Sequence, residues 1–161
     1  MFLNSEIRNI KPKDYNDVKI LLKESTNYHM NLDNNFKKMV EENIEYFDNE
    51  LEETLNSINN SKILIYKISS KIIGILVYNL EDEDTIYISD LYIELQYRTN
   101  GFATRLLDEL TNRYPKKKIK LMCLVKNKLA YNFYINYGFK IIETLKGKKY
   151  KIDSYIMGYN I

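Results

Sequence analysis

Two short segments in the second half of the chain contain residues whose types and spacing suit phosphate binding. The first, Arg98-Thr99-Asn100-Gly101-Phe102-Ala103, lies between a predicted strand and a predicted helix. The start of a helix offers unpaired N–H groups and the positive end of the helix dipole, and both favour phosphate. Gly101 allows a close approach of the backbone to a ligand, and Ala103 keeps the first turn free of bulk. Taken alone, the pattern also fits an ordinary loop that contains a glycine.

The second segment runs from Asn127 to Phe139, one predicted strand later. The whole chain has only five glycines and two alanines, and both alanines, Ala103 and Ala130, fall in these two segments together with Gly101 and Gly138. In a chain so poor in small residues, this placement argues against chance.

The elements that must position these segments form one predicted α+β domain over residues 1–161. Apolar periodicity, turn residues and helix-capping signals define its helices and strands. In order, we predict strand 7–10, helix 12–24, a loop with His29, helix 36–58 ended by residues 59–61, strands 62–68, 71–80 and 85–93, helix 101–113, strand 118–125, helix 128–137, and strands 139–144 and 150–159.

Composition excludes several classes of protein. Hydrophobic residues make up 45% and charged residues 29% of the 161 residues, as in a globular domain. No apolar run approaches the roughly 20 residues that cross a bilayer, and the first residues do not read as a signal peptide, so we expect a cytoplasmic protein without a membrane partner. A single cysteine, Cys123, and a single histidine, His29, exclude an internal disulfide and speak against a metal site built on either residue type.

The charges are distributed unevenly along the chain. Residues 111–161 carry a net charge of +10, and the first 110 residues carry −8. This asymmetry indicates either one anionic and one cationic ligand or a dipolar surface. Because no nucleic-acid-binding motif surrounds the lysines, we expect no nucleic-acid partner. An acidic face on the predicted helix 36–58 is consistent with solvation, and it also favours a cationic ligand nearby: Glu41, Glu42, Glu45, Asp48, Glu50, Glu52 and Glu53.

Together the two segments resemble those of the GNAT superfamily of acyl-CoA-dependent N-acetyltransferases. Arg98-x-x-Gly101-x-Ala103 is similar to the pyrophosphate loop of that family, Arg/Gln-x-x-Gly-x-Gly/Ala. The second segment is similar to the family's Asn…Ala…Phe-Tyr…Gly-Phe signature through Asn127, Ala130, Phe133, Tyr134, Gly138 and Phe139. The resemblance implies a central mixed, mostly antiparallel sheet of six to seven strands, flanked by helices and containing a splayed central strand pair.

The resemblance also implies acetyl-CoA as co-substrate and no metal. In the family, the central strand, here Ile86 to Ile93, leaves its neighbour after a bulge and pairs with the pantetheine amides. This would place the backbone of three residues beside the cofactor, with an N–H near the thioester oxygen: Leu91, Tyr92 and Ile93. The pyrophosphate would be held by the loop and the first helical turn: Arg98, Thr99, Asn100, Gly101, Phe102, Ala103 and Thr104.

Other residues depart from the family pattern or have a second reading. Asn100 stands where a basic residue is common, which weakens phosphate contacts, and Thr99 replaces a frequent glycine, which restricts the loop backbone. Asn127 would anchor the cofactor or the splayed strand. Several lysines lie in the half of the chain that is expected to contact the phosphates of the cofactor, and the alternative role of each is solubility: Lys116, Lys117, Lys118, Lys126 and Lys128.

The resemblance assigns the catalytic acid more clearly than the base. Tyr134 aligns with the tyrosine that protonates the departing CoA thiolate in many family members, and a phenol with a pKa near ~10 suits a thiol near ~8.5. Its alternative role is that of a packed aromatic residue. Diamine acetyltransferases have Glu-Asp where this chain has Ser89-Asp90, so a candidate base is missing. Asp90 and Glu94 remain weak candidates for the base. The alternative for Asp90 is a structural carboxylate, and the alternative for Glu94 is a surface residue. The acids of the turn 81–84 are candidates as well.

The N-terminal third would form the acceptor side. His29 lies in a stretch that looks like the His…Leu-Asp…Phe stretch of a subgroup of these enzymes, and there it would orient substrate or relay a proton. An ordinary loop histidine is the alternative.

We therefore expect an acyltransferase that moves acetyl from acetyl-CoA to a primary amine by direct attack in a ternary complex. The acceptor would be a small molecule or a peptide, favoured when cationic, and the protein a monomer or a homodimer. Cys123 lies mid-strand in apolar company, which argues against an acetyl-cysteine route. The alternative is a non-catalytic acyl-CoA-binding sensor of the same fold, which the missing glutamate favours and Tyr134 opposes.

Overall fold

A seven-stranded mixed sheet runs through the centre of the computed structural model, which describes residues 4–56 and 62–161. The strands are β1 (Ser5–Asn9), β2 (Lys62–Ile68), β3 (Lys71–Leu80), β4 (Thr85–Ile93), β5 (Lys118–Leu124), β6 (Lys140–Leu145) and β7 (Ser154–Tyr159). The helices are α1 (Tyr15–Leu32), α2 (Asn34–Glu42), α3 (Ile44–Leu55), α4 (Phe102–Arg113) and α5 (Lys128–Tyr137), with short 3-10 turns at Pro12–Asp14 and Leu95–Tyr97. The strand order is β1-β2-β3-β4-β5-β7-β6.

Helices cover both faces of this sheet. On one face, Ile63, Ile65, Ile75 and Val77 pack with α1 and α3. Their neighbours along β2 and β3 point to the other face and pack with α4: Leu64, Tyr66, Leu76 and Tyr78. Successive side chains of a strand alternate between faces, so strands buried on both sides read as continuous apolar runs. The predicted α+β class with a mixed, mostly antiparallel sheet is confirmed.

The one parallel pair among the described strands, β4 and β5, separates halfway along its length. Pairing runs from Thr85↔Lys118 to Ile88↔Leu121 and stops there, although β4 continues to Ile93 and β5 to Leu124. On the β3 side, Val77 pairs with Asp90 and Tyr78 with Ile88, so Ser89 is an extra, bulged residue. A bulge bends its strand and increases the local twist. The expected splayed central pair is therefore present, and the bulge marks its start.

Helix α1 is longer than the predicted helix 12–24. It continues to Leu32, so His29 lies in its last turn and the prediction of a loop there is wrong. The residues after Glu24 are weak helix formers, but neither glycine nor proline interrupts them, and Ser25 packs into the protein interior. Tertiary packing outweighs the weak propensity of this last part of the helix.

Two other predicted boundaries also need correction. The single helix predicted over 36–58 is two helices, α2 and α3, that meet at Asn43, whose side chain donates a hydrogen bond to the Met39 carbonyl at 2.7 Å. Such side chain–backbone bonds compete with helix continuation. The predicted end of this helix at 59–61 lies outside the described residues. The last strand begins only at Ser154, after a loop at 146–153.

In the described part of the chain, no helix has the length and apolarity to cross a membrane.

A bidentate ion pair fixes β1 to the start of α1. Two Arg8 nitrogens, Nη1 and Nη2, donate to Asp14 Oδ2 and Oδ1 at 2.6 and 3.1 Å, and the Lys11 amide donates to Oδ2 at 2.8 Å. Asp14 is only 4% exposed. The hydrogen bond from Arg8 lowers the pKa of the Asp14 carboxyl below its ordinary value, despite the opposing effect of burial.

We expect Asp14→Asn to lower the free energy of unfolding by about 2 kcal/mol at pH 7, since it removes a buried, charge-assisted interaction. Because the folded-state pKa is depressed, this stabilisation is complete above the unfolded pKa and is lost as the pH falls through the folded value. Urea unfolding of both proteins from pH 7 down to about pH 2 measures the difference. Glu6→Gln, which removes an exposed partner of Arg8, is the control. A difference that stays constant with pH would contradict this account.

Candidate active site

The gap between β4 and β5 opens into a cavity of about 670 Å³. This volume lies in the range of pockets that bind small molecules and cofactors. Most of the sequence-predicted site residues line it: His29, Asp90, Leu91, Tyr92, Ile93, Arg98, Thr99, Gly101, Phe102, Ala103, Thr104, Asn127 and Tyr134. Asn100 and Glu94 are not among the lining residues. The structure therefore gathers both segments and His29 around one cavity.

The loop before α4 has the geometry of an anion-binding site. Gly101 is the residue before the first turn and adopts a left-handed conformation, with φ of +80°. No atom lies within 4 Å of the position that a Cβ would take there, so the space above the backbone is open. No side chain caps α4, and the amides of Ala103 and Thr104 have no hydrogen-bond acceptor among the described residues. These amides and the helix dipole favour a phosphate.

Thr99 and Asn100 shape this loop from within. Thr99 has a φ of +65°, in the left-handed region that disfavours β-branched residues, and its Oγ1 donates to the Arg98 carbonyl at 2.6 Å. The Asn100 side chain donates to the carbonyls of Tyr97 and Arg98, at 3.1 and 3.0 Å, so it is directed back onto the loop. A glycine at position 99 would adopt the same conformation without strain.

Arg98 joins the loop to β4 and α1. Its Nε donates to the Ile93 carbonyl at 2.9 Å, and its guanidinium lies 4.3 Å from the ring centroid of Tyr28 and 5.1 Å from that of Tyr92. Such stacking of a guanidinium on aromatic rings is attractive. Arg98 therefore fixes the point at which the chain leaves the splayed strand.

Tyr134 lies on α5 with its side chain against the cavity and is 8% exposed. Its ring packs against Phe133 and Phe139, each with a centroid distance of 5.3 Å. Its hydroxyl has no hydrogen-bond partner among the described residues. Burial raises the pKa of this phenol far above its ordinary value, and the neighbouring Cys123 and Asp90 raise it further. The hydroxyl therefore keeps its proton at neutral pH and can donate it within the cavity.

Asp90 directly follows the bulge and is partly buried in the same cavity. Its Oδ1 accepts a hydrogen bond from Ser25 Oγ at 2.9 Å. Burial raises the pKa of the Asp90 carboxyl above its ordinary value, and the Ser25 hydrogen bond and nearby His29 act in the opposite direction. The carboxylate is thus poorly solvated, which makes it a better proton acceptor than an exposed aspartate.

His29 connects α1 to the start of α5. Its Nδ1 lies 2.8 Å from the Ser25 carbonyl oxygen, which can only accept, so we assign the proton to Nδ1. The Nε2 lone pair then faces Asn127 Nδ2 at 3.5 Å, while Asn127 Oδ1 accepts from the Ala130 amide at 3.2 Å and caps α5. Asn127 is therefore a helix cap that also contacts α1 through His29.

The other candidate acids lie away from the cavity. Glu94 pairs with Lys71 at 2.8 Å and accepts from Gln96 at 2.7 Å. The acids of the turn 81–84 precede β4, whereas the cavity adjoins its C-terminal half. The described residues contain no group of three or more His, Cys, Asp or Glu side chains that could hold a metal ion.

Sequence reasoning missed Ser25, the hydrogen-bond partner of Asp90. The signal was present in the spacing, because Ser25 continues the buried stripe of Val18, Leu21 and Leu22 by one turn. A serine in an apolar helical stripe needs a buried hydrogen-bond partner. The predicted helix ends at about Glu24, so Ser25 lies just outside the predicted stripe.

Cys123 lies on β5 beside the cavity and is buried. Burial raises the pKa of its thiol to about 11, since few charges oppose the loss of solvation. At neutral pH the thiol is protonated and is therefore a poor nucleophile.

Comparison with known proteins identifies the family of this chain. The model of the Acetyltransferase (GNAT) family matches residues 27–139. The chain belongs to this family. No curated protein matches the chain by sequence.

Solved structures share the fold at low sequence identity. PaiA N-acetyltransferase from Thermoplasma acidophilum, in complex with coenzyme A, is 18% identical, with a TM-score of 0.69 over 97% of this chain and 98% of that chain. The microcin C7 self-immunity acetyltransferase MccE, in complex with acetyl-CoA and AMP, is 21% identical, with a TM-score of 0.69 over 98% and 94%. Arabidopsis thaliana Naa50, in complex with the bisubstrate analogue CoA-Ac-MVNAL, is 16% identical, with a TM-score of 0.67 over 99% and 100%. The GNAT fold predicted from the motifs is confirmed.

We expect Gly101→Val to abolish the rise in Tm that acetyl-CoA causes in the wild-type protein, because a β-branched residue is strained at this φ and fills the space above the loop. Thr99→Gly, which relieves a left-handed threonine two residues away, should keep or increase the rise. Thermal unfolding with and without acetyl-CoA, supported by calorimetric titration, measures both. A wild-type protein that neither shifts nor binds at millimolar acetyl-CoA would contradict a cofactor site here.

Proposed function

We propose that this GNAT-family protein transfers an acetyl group from acetyl-CoA to a primary amine, by direct attack of the amine while both substrates are bound. One observation carries the proposal: the open helix start at Gly101 lies on the same cavity as Tyr134, whose hydroxyl has no hydrogen-bond partner in the described part of the chain. The complexes of PaiA with coenzyme A and of MccE with acetyl-CoA support acetyl-CoA as the donor.

The start of α4 binds the pyrophosphate through the amides of Ala103 and Thr104, with Gly101 allowing close approach. The pantetheine chain follows the free edge of β4 at Leu91–Ile93, which has lost its pairing to β5. Backbone N–H groups on this edge can pair with its amides and polarise the thioester carbonyl. Acetyl-CoA itself supplies the activated acetyl group.

Transfer forms a C–N bond and breaks the C–S bond of the thioester. Tyr134 donates its proton to the departing sulfur. Because the pKa of this phenol is strongly raised, the proton is transferred only as the thiolate forms. Asp90 accepts the proton that the amine loses, directly or through one water, with Ser25 holding the carboxylate in place. Glu94 takes no part, because its ion pair with Lys71 holds it outside the cavity.

Direct attack is favoured over a covalent acetyl-cysteine route. Cys123 is the one cysteine of the chain, and its raised pKa keeps it in the thiol form at neutral pH. Among the described residues, its thiol has hydrogen-bond acceptors only in the carbonyls of Leu124 and Asn127, and neither carbonyl is a base.

We expect Tyr134→Phe to lower kcat by about 10²- to 10⁴-fold, the usual contribution of a general acid. The affinity for acetyl-CoA should barely change, because the loop and strand contacts remain. The assay measures free thiol released from acetyl-CoA across a panel of primary amines, and calorimetry measures affinity. Tyr131→Phe removes a hydroxyl from the same helix outside the cavity and is the matched control.

Unchanged activity in Tyr134→Phe would remove this hydroxyl from the mechanism. If neither protein acetylated any amine while both bound acetyl-CoA, the non-catalytic sensor would be the better interpretation.

We expect Asp90→Asn to lower kcat/KM by about 10²-fold or more at neutral pH, since it removes the proton acceptor. In the wild-type protein, burial raises the pKa of Asp90. The acid limb of the pH profile, over which activity is lost as the pH falls, should therefore lie at a higher pH than it would for an exposed aspartate. Ser25→Ala removes a hydrogen bond that lowers this pKa, so the acid limb should move to still higher pH. The pH profiles of kcat/KM test this shift.

His29 also lies close enough to Asp90 to act on the charge of its carboxyl. The variant His29→Asn therefore tests whether the loss of activity on acidification depends on His29. An acid limb that stays in place in Ser25→Ala would contradict the role of Asp90.

A further inference from the structure

A second cavity, of about 770 Å³, adjoins the first. Four residues line both: Thr26, Ser89, Asp90 and Met122. Asp90, the proposed proton acceptor, therefore lies at the boundary between the two. Residues 98–104 do not line the second cavity, so a molecule whose amine reaches Asp90 from there would leave the pyrophosphate loop free for the cofactor.

The break between α2 and α3 forms the outer wall of this second cavity. Asn43, at the break, donates to the Met39 carbonyl at 2.7 Å and to the Tyr150 hydroxyl at 3.0 Å. The bond to Tyr150 fixes the loop 146–153 against the helices, and Asn35 adds a bond to the Lys151 carbonyl at 3.4 Å. A Cβ on Gly147 would lie 2.3 Å from the Ile152 carbonyl oxygen, so only glycine allows this loop to close on itself.

The lining of this cavity is apolar and aromatic, with negative charge. Its apolar members include Leu22, Met39, Tyr46, Phe47, Leu51 and Tyr150. The described lining residues include two carboxylates, Asp90 and Glu50, and no lysine or arginine. The Glu50 charge raises the pKa of the Tyr46 phenol, so this carboxylate lies close to an aromatic ring of the cavity. Lys149 lies over the Tyr150 ring, 5.0 Å from its centroid, but does not line the cavity.

We infer that the second cavity binds the body of the acceptor, and that the acceptor is a small amine with a second positive charge separated from the first by an apolar chain. This inference rests on the proposed function, because Asp90 marks the position of the attacking amine. Glu50 is the residue that determines specificity for the second positive charge. Besides Asp90, it is the one carboxylate among the described residues that line this cavity, and these include no lysine or arginine. Phe47, Met39 and Leu51 contact the apolar chain, and Tyr46 adds the attraction of an aromatic face for a cation.

The test compares straight-chain diamines, from 1,4-diaminobutane to 1,8-diaminooctane, with the monoamines of equal length. The wild-type protein should acetylate the best diamine with a higher kcat/KM than its monoamine. Glu50 is exposed, so Glu50→Gln should lower kcat/KM for that diamine by at most about fivefold, the upper end for an exposed ion pair, and mainly through KM. The monoamine should change by less than about twofold, because it has no charge at that end.

Asp48→Asn is the matched control, since it removes the same charge from an exposed position of α3 that does not line the cavity. It should leave both substrates within about twofold of wild type. Raising the salt concentration should reduce the preference for the diamine in the wild-type protein and have little effect in Glu50→Gln. Equal effects of Glu50→Gln on diamine and monoamine, or no wild-type preference for any diamine, would overturn the inference.

Calorimetric titration of the same amines into the CoA-bound protein separates this inference from the proposed function. If no amine is acetylated but the diamine binds more tightly than the monoamine and loses this advantage in Glu50→Gln, the proposed function fails and the cavity assignment stands. If amines are acetylated without regard to a second charge, the transfer activity stands and the acceptor class is overturned.

Discussion

The separation of β4 from β5 after Ile88 and Leu121 is the constraint on which the whole site depends. Two parallel strands that stayed paired would leave no space between helices α4 and α5 and would satisfy the backbone groups of Leu91–Ile93 internally. The bulge at Ser89 bends β4 at this point, and β3 keeps β4 in the sheet by pairing with it on the other side as far as Ile93. The sheet therefore remains whole while one of its strands offers a free edge to a ligand.

The second requirement is that the helices on either side of this gap hold fixed positions. Ser25 binds Asp90, His29 binds the Ser25 carbonyl, and Asn127 contacts His29 and caps α5. These polar contacts run from α1 to α5, the helix that contains Tyr134. Buried polar groups of this kind are costly unless each has a partner, so the network specifies one relative placement of α1, β4 and α5.

The two halves of the chain have opposite charge, and the structure shows part of what this asymmetry does. Lys126 pairs with Asp33 and Lys120 with Glu81, each at 3.4 Å, so some of the basic C-terminal residues pair with acids of the N-terminal part. The Lys120–Glu81 pair is largely exposed and contributes little to stability, whereas Asp33 in the other pair is buried. The difference between the two cavities arises within the first 110 residues alone, because the open helix start at Gly101 offers positive potential and the second cavity offers Asp90 and Glu50.

The sequence by itself determined the family, the order of most elements and the two segments that meet at the cavity, because glycine, alanine and periodic apolar residues act through local geometry. It did not determine where α1 ends or where α2 gives way to α3. Val40 and Phe47 keep helical spacing across the break at Asn43, so periodicity continues where the helix does not. It left Asp90 and Glu94 equivalent as acids, and only the fold separates them, by burying one beside Ser25 and pairing the other with Lys71 outside the cavity. Burial and the choice of partner are set by contacts between residues far apart in the chain, such as the 65 positions between Ser25 and Asp90, and no local pattern records them.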